Sequence, residues 1–149
     1  MATEVVNRQR RVRIDRVRIA HLADQALEAV GRPDAAITVA FVRDAAIRRL
    51  NRDYRGKDIS TDVLSFPADA DVPPSAGTEK QVRPGGYLGD VVISADTAIS
   101  QAQESCYSFE REVSELVIHG VLHLCGYDHE TDRGEMNRME LRLRRRLLE

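Results

Sequence analysis

The sequence predicts an α+β fold, a small mixed β-sheet of about four strands packed with about five helices, with a metal cleft at one face. Three observations carry that reading. Short apolar, β-rich runs alternate with longer segments whose apolar residues recur at helical spacing, the pattern of helices laid on a sheet. Ser, Asp and Gly stand where helices should start and stop. Three of the four histidines fall within residues 119–129.

Taken in order, Val5 to Ile14 reads as an extended, arginine-rich edge strand. Residues 17–30 place apolar side chains at 19, 22, 23, 26, 27 and 30, one face of a helix, and Gly31 stops it. Ala36 to Val42 (AITVAFV) is a buried strand. Asp44 caps a helix that carries Ile47 and Leu50 and ends near Asn51. Asp62 to Phe66 is a short strand closed by Pro67. Residues 68–86 form a loop: the stretch 67–89 holds four of the five prolines and four of the nine glycines, so it is either mobile or a functional flap. Leu88 to Ile93 is a strand, after which Ser94 caps a helix to about Glu104. Ser108 caps a second helix over 109–124, with apolar residues at 113, 116, 117, 120, 121 and 124, and Gly126 ends it. Residues 132–149 form a last amphipathic helix, Met136, Met139, Leu143 and Leu147 inward and Arg142 and Arg144–Arg146 mostly outward.

The bulk composition bounds the function. A chain of 149 residues is one domain's worth, 1–149, and it has 42% hydrophobic and 31% charged residues, as expected of a soluble globular protein. No apolar run approaches the roughly 20 residues that span a bilayer. The N-terminus has charges but no apolar core of a secretory signal, and Glu4 and Asp15 argue against a transit peptide. Two cysteines, Cys106 and Cys125, without a spaced framework suit free thiols in a reducing cytoplasm. The net charge of −2 hides an asymmetry: residues 1–57 carry +6, and Lys57 and Lys80 are the only lysines among 22 basic residues. Arginine forks match phosphate oxygens two at a time. If Arg10, Arg11 and Arg13, with Arg55, line one side of the cleft, they bind a phosphate-rich partner. The other reading is an ordinary arginine-rich surface.

The segment HGVLHLCGYDH, 119–129, carries the chemistry. By chance, two further histidines at set offsets from His123 occur about once in a thousand. His119 and His123 are four apart on a helix, so their Cβ atoms lie about 5–6 Å apart on one face and two ring nitrogens can converge on a metal. Gly126 turns the chain, and His129 swings back as third ligand. The spacing equals that of the extended metalloprotease signature, but Gly120 stands where the catalytic glutamate would be, which argues against peptide hydrolysis by that route. Gly120 is also expected to leave space beside the metal. Structural zinc sites are closed by four protein ligands and catalytic ones keep a position open. Cys125 follows His123 by two residues and, at about 100° per residue, points to the far side of the helix. Asp128 can ligate or can orient an imidazole. The favoured arrangement is three imidazoles plus water, one Zn2+ per chain. His21 stands alone on the first helix.

HGVLHLCGYDH, with NRDYRGKDISTDVLSFP at 51–67 and LGDVVIS at 88–94, resembles the YbeY family of bacterial rRNA-maturation endoribonucleases. The motifs occupy 35 residues, and their order covers the chain from about 36 to 149; the loop between them is longer than in compact members. The resemblance implies a zinc-dependent, single-strand-specific endoribonuclease that processes the 3′ end of small-subunit rRNA and acts in ribosome quality control. It implies single-stranded rRNA, the small ribosomal subunit and assembly factors such as the Era GTPase as partners, in the cytoplasm, with no membrane. It also implies a functional arginine, here Arg55.

The chemistry agrees with that expectation. A three-histidine zinc lowers the pKa of its water to about 7, and zinc and a guanidinium each stabilise charge developing on phosphate oxygens. Lys57 can assist by attracting phosphate. Ser60, Thr61 and Asp62 read first as turn and cap residues. Asp90 is either a buried supporting carboxylate or a charge at an exposed strand edge. The general base is not identified, and few aromatics (5%) are available to stack bases. Two other functions stay open: a zinc-binding ribosome-assembly factor with weak or no cleavage, and a metallohydrolase of another substrate.

Overall fold

The computed structural model describes residues 3–68, 86–128 and 130–149. Most of the expected loop, 69–85, lies outside the described residues, as does His129. The element order is β1 (Glu4–Asn7), α1 (Arg16–Ala29), β2 (Ala36–Val42), α2 (Asp44–Arg55), β3 (Val63–Pro67), β4 (Tyr87–Ser94), α3 (Ala95–Ser105), α4 (Phe109–Leu124) and α5 (Glu135–Leu148). The sheet order is β1-β2-β4-β3. β1 and β4 run parallel to β2, and β3 runs antiparallel to β4, so the sheet is mixed. The α+β expectation of four strands and five helices holds.

Every residue of β2 is buried because helices cover both faces of the sheet. On one face Ile47 and Leu50 of α2 meet Ala40, Val42, Leu64, Phe66 and Val92. On the other, α1, α4 and α5, with Ala98 of α3, close the main core over Ile37, Val39, Phe41, Val91 and Ile93. Gly120 sits where α4 crosses the sheet. A Cβ there would come within 2.6 Å of a Val91 methyl. Its absent side chain therefore brings helix and sheet together and leaves no space beside a metal, contrary to expectation.

The boundaries fall mostly where the caps placed them. Ser94 and Ser108 each accept a backbone N–H in the first turn of their helices, as expected, and Asp15, not singled out as a cap in the sequence, does the same for α1. Three expectations are corrected. The first strand stops at Asn7 instead of reaching Ile14. The buried Gln9 side chain donates to Val12 O and accepts from Val12 N, so it turns the chain before α1. Asp44 does not cap α2, whose N-cap is Arg43 without a side-chain bond. Its carboxylate accepts instead from the hydroxyls of Ser94 and Thr97, tying the starts of α2 and α3 together. Helix α2 also continues past Asn51 to Arg55. Asn51 is buried within it and donates to Ile59 O, holding the following loop against the helix.

Candidate metal centre

α4 carries a polar stripe, Glu112, Glu115, His119 and His123, at a spacing that keeps all four on one side of the helix. Its C-terminal half borders the β3 edge of the sheet. There a cleft of about 450 Å³ opens, and His119, His123, Arg55, Asp62, Ser65 and Asp128 are among its walls. Helix geometry brings the two rings together: their centroids are 4.6 Å apart at 77°. The Nε2 atoms face each other at 3.0 Å.

The second nitrogen of His119 is committed. Its Nδ1–H donates to Glu140 Oε1 at 2.8 Å. A carboxylate only accepts, so Nδ1 carries a proton, and Nε2 is the nitrogen turned toward His123. Glu140 is itself fixed, because Arg144 Nη2 lies 3.1 Å from its other oxygen. Arg144 also reaches Glu115, which pairs with Arg111. Glu112, a buried member of the same stripe, has its carboxyl pushed up by burial and then by the charges of Glu115 and Asp62.

Two imidazoles on adjacent turns, one oriented by a carboxylate, form a donor set suited to zinc. Two nitrogens on one tetrahedral zinc at about 2.0–2.1 Å lie roughly 3.3 Å apart. The observed 3.0 Å is somewhat shorter and within hydrogen-bond range, so the two nitrogens are already close to the separation a shared ion would need. Among the described residues no group of three His, Cys, Asp or Glu side chains is arranged to hold a metal; the expected third ligand, His129, lies outside them.

The remaining expected residues divide. Arg55 is the last residue of α2, capped by left-handed Gly56, and it lines the cleft from a helix end rather than from a free turn. Lys57, Ser60 and Thr61 are not among the cleft walls, while Asp62 is. Asp128 Oδ1 accepts from Glu130 N, so this carboxylate caps the turn after Tyr127. Cys125 packs against the main core, and burial raises its thiol pKa. Asp90 is buried and accepts from the Tyr87 hydroxyl. Its cross-strand partners are Thr38 and Phe66, and Phe66 belongs to the α2-side cluster, so Asp90 faces away from α4. His21 is exposed on α1.

The N-terminal arginines do not line the cleft. Arg11 bonds Asp96 of α3 at 2.6 Å, with Arg43 on the same carboxylate. Arg13 borders a separate groove with Phe109 and Glu110, at the opposite end of α4 from the histidines.

Glu140 is the site residue that sequence reasoning missed. One signal was available: position 140 lies four after Met136 and three before Leu143, so a carboxylate stands on the apolar stripe of α5.

Residues 4–149 match the family described as Endoribonuclease YbeY. A protein of Geobacter metallireducens named Endoribonuclease YbeY is 41% identical over 145 residues, which cover 97% of this chain and 92% of the relative. One of the same name from Aquifex aeolicus is 45% identical over 125 residues, covering 83% and 74%. The solution structure of TM1509 from Thermotoga maritima superposes with a TM-score of 0.58 at 27% identity, covering 95% of this chain and 85% of that one.

Proposed function

The chain belongs to the YbeY family of endoribonucleases, and from that premise we propose that it is a zinc-dependent enzyme cutting single-stranded RNA. Its expected role is maturation of the 3′ end of small-subunit rRNA and ribosome quality control, in the cytoplasm, alongside the small subunit and assembly factors such as the Era GTPase. The observation that carries the reading is the pair of Nε2 atoms 3.0 Å apart on the wall of a cleft that Arg55 also lines.

On this reading His119, His123 and His129 hold the metal, the third by the spacing of its motif. Bound zinc supplies Lewis acidity toward phosphoryl oxygens and lowers the pKa of water toward about 7. Glu140 fixes the tautomer and direction of His119. Arg55 holds a non-bridging phosphate oxygen pair as charge develops on it. Gly120 packs on Val91, so a base in the protease position is sterically shut out as well as missing. Among the described residues, Asp62, Asp128 and Glu130 are the carboxylates bordering the cleft. The reaction products separate direct attack by water, which leaves a plain 5′ phosphate, from attack by a ribose hydroxyl, which leaves a 2′,3′-cyclic phosphate.

Cleavage of labelled single-stranded RNA by highly purified protein tests the proposal. The zinc-loaded chain should cut it, and the metal-depleted chain and His123→Ala should not. Cutting by His123→Ala at the wild-type rate would show that the activity lies elsewhere. Zinc-loaded protein that leaves RNA intact would favour an assembly factor without intrinsic cleavage.

A further inference from the structure

α5 turns two different faces to its surroundings. Its inner face carries Met136, Glu140 and Leu143. Its outer face carries Arg138, Arg142, Arg145 and Arg146, which border a shallow depression of about 580 Å³ around the exposed Leu141. The spacing of four, three and one residues keeps these guanidinium groups in a single stripe. Arg144, inside the same run, turns the other way and pairs with Glu140 and Glu115.

Internally, among the described residues, Arg138 donates only to a backbone carbonyl, that of Arg133. Among the described residues no carboxylate lies within ion-pair distance of Arg138, Arg142, Arg145 or Arg146. Arg138 and Arg142, and Arg142 and Arg146, stand four apart, where like charges repel and weaken a helix. The helix dipole favours cations only in the last turn, which holds Arg145 and Arg146 and leaves the other two unexplained. Guanidinium forks match phosphate oxygens in pairs, and their planes also stack on splayed bases.

We infer that the arginine face of α5 is a second RNA-binding surface, gripping the phosphate backbone of a single strand outside the cleft. The polyanion's identity rests on the proposed function. Glu140 contacts His119 from the inner face of the same helix, so cleft and arginine face are separated by about one helix diameter, roughly 10–12 Å. A strand long enough to span that distance is held at both surfaces. A shorter one that only fills the cleft does not reach α5.

Fluorescence anisotropy on the zinc-loaded full chain tests this, with the triple variant Arg142→Ser, Arg145→Ser, Arg146→Ser beside it. For the long strand the variant should bind at least tenfold more weakly, and its log affinity against log salt should be flatter by about 2, three contacts at about 0.7 each. The short strand should bind both proteins equally. Zinc content and melting temperature should match wild type. Equal affinity and slope on the long strand would overturn the inference. So would a wild-type chain that binds no RNA, or a variant that loses binding only to anionic phospholipid vesicles. Binding is read without cleavage, so RNA held at α5 but never cut would defeat the nuclease reading and leave this surface standing.

Discussion

Glu140 and Arg55 test the site one side chain at a time. Glu140 touches His119 and Arg144 rather than the space where a substrate would sit. Its replacement should therefore act through the metal. Glu140→Gln removes the charge while keeping the size, and should lower zinc affinity about 10–100-fold, read by competition with a chelator. Wild-type affinity in the variant would mean that His119 needs no orienting partner. Arg55 is exposed at the end of α2 and lines the cleft. Arg55→Lys keeps a cation at the helix end but loses the two-pronged geometry. Turnover should fall while the melting temperature stays nearly unchanged; unfolding, or an unaltered rate, would remove Arg55 from the mechanism.

The elements were legible where a local rule fixes them and less so where a distant contact does. Period alone placed α1, and period with caps placed α3 and α4, nearly to the residue, because Ser94 and Ser108 bond within their own first turns. Asp44 misled because its partners, Ser94 and Thr97, lie on another helix. Gly120 misled for the same reason: the local pattern placed it beside the histidines, whereas the sheet behind it decides its role. Gly120→Ala should destabilise the protein by about 1–3 kcal/mol in urea unfolding, the cost of overpacking a core. Val91→Ala in the same chain should recover part of that loss. A stable Gly120→Ala with impaired activity alone would restore the earlier reading. Asp96 joins α3 to Arg43 of the α2 start and to Arg11 of the N-terminal segment. Burial pushes its carboxyl up, but bonds from Arg43, the Asp44 N–H and Arg11 outweigh this and hold it at about 2. The carboxyl ionises more readily in the folded chain, so it stabilises above about pH 4 and that stability is lost as the pH falls toward 2. Asp96→Asn should cost on the order of 1–2 kcal/mol at pH 7. The gap from wild type should close on acidification between those values. A gap independent of pH would show that packing and not charge is lost.

At the scale of the whole molecule, the candidate metal motif could be picked out in the sequence because its histidines are local, while the sheet order and the support behind His119 could not. Strand order β1-β2-β4-β3 depends on pairings across the chain that no local period encodes. Glu140 reaches His119 across the packing of α5 on α4, 21 residues away. The charge asymmetry was visible too, but its placement was not: Arg11 serves a structural carboxylate, and an arginine row with no ion-pair partner among the described residues lies on α5. No helix among the described residues is long and apolar enough to cross a membrane. What would unite these parts is the proposed metal, which the α4 histidines would hold with support from α5, at a cleft that α2 and β3 complete. Elemental analysis of protein prepared without an affinity tag tests that claim most directly. The account predicts one equivalent of zinc per chain, lost in His119→Ala and in His123→Ala. A content well below one equivalent that His119→Ala leaves unchanged would contradict it.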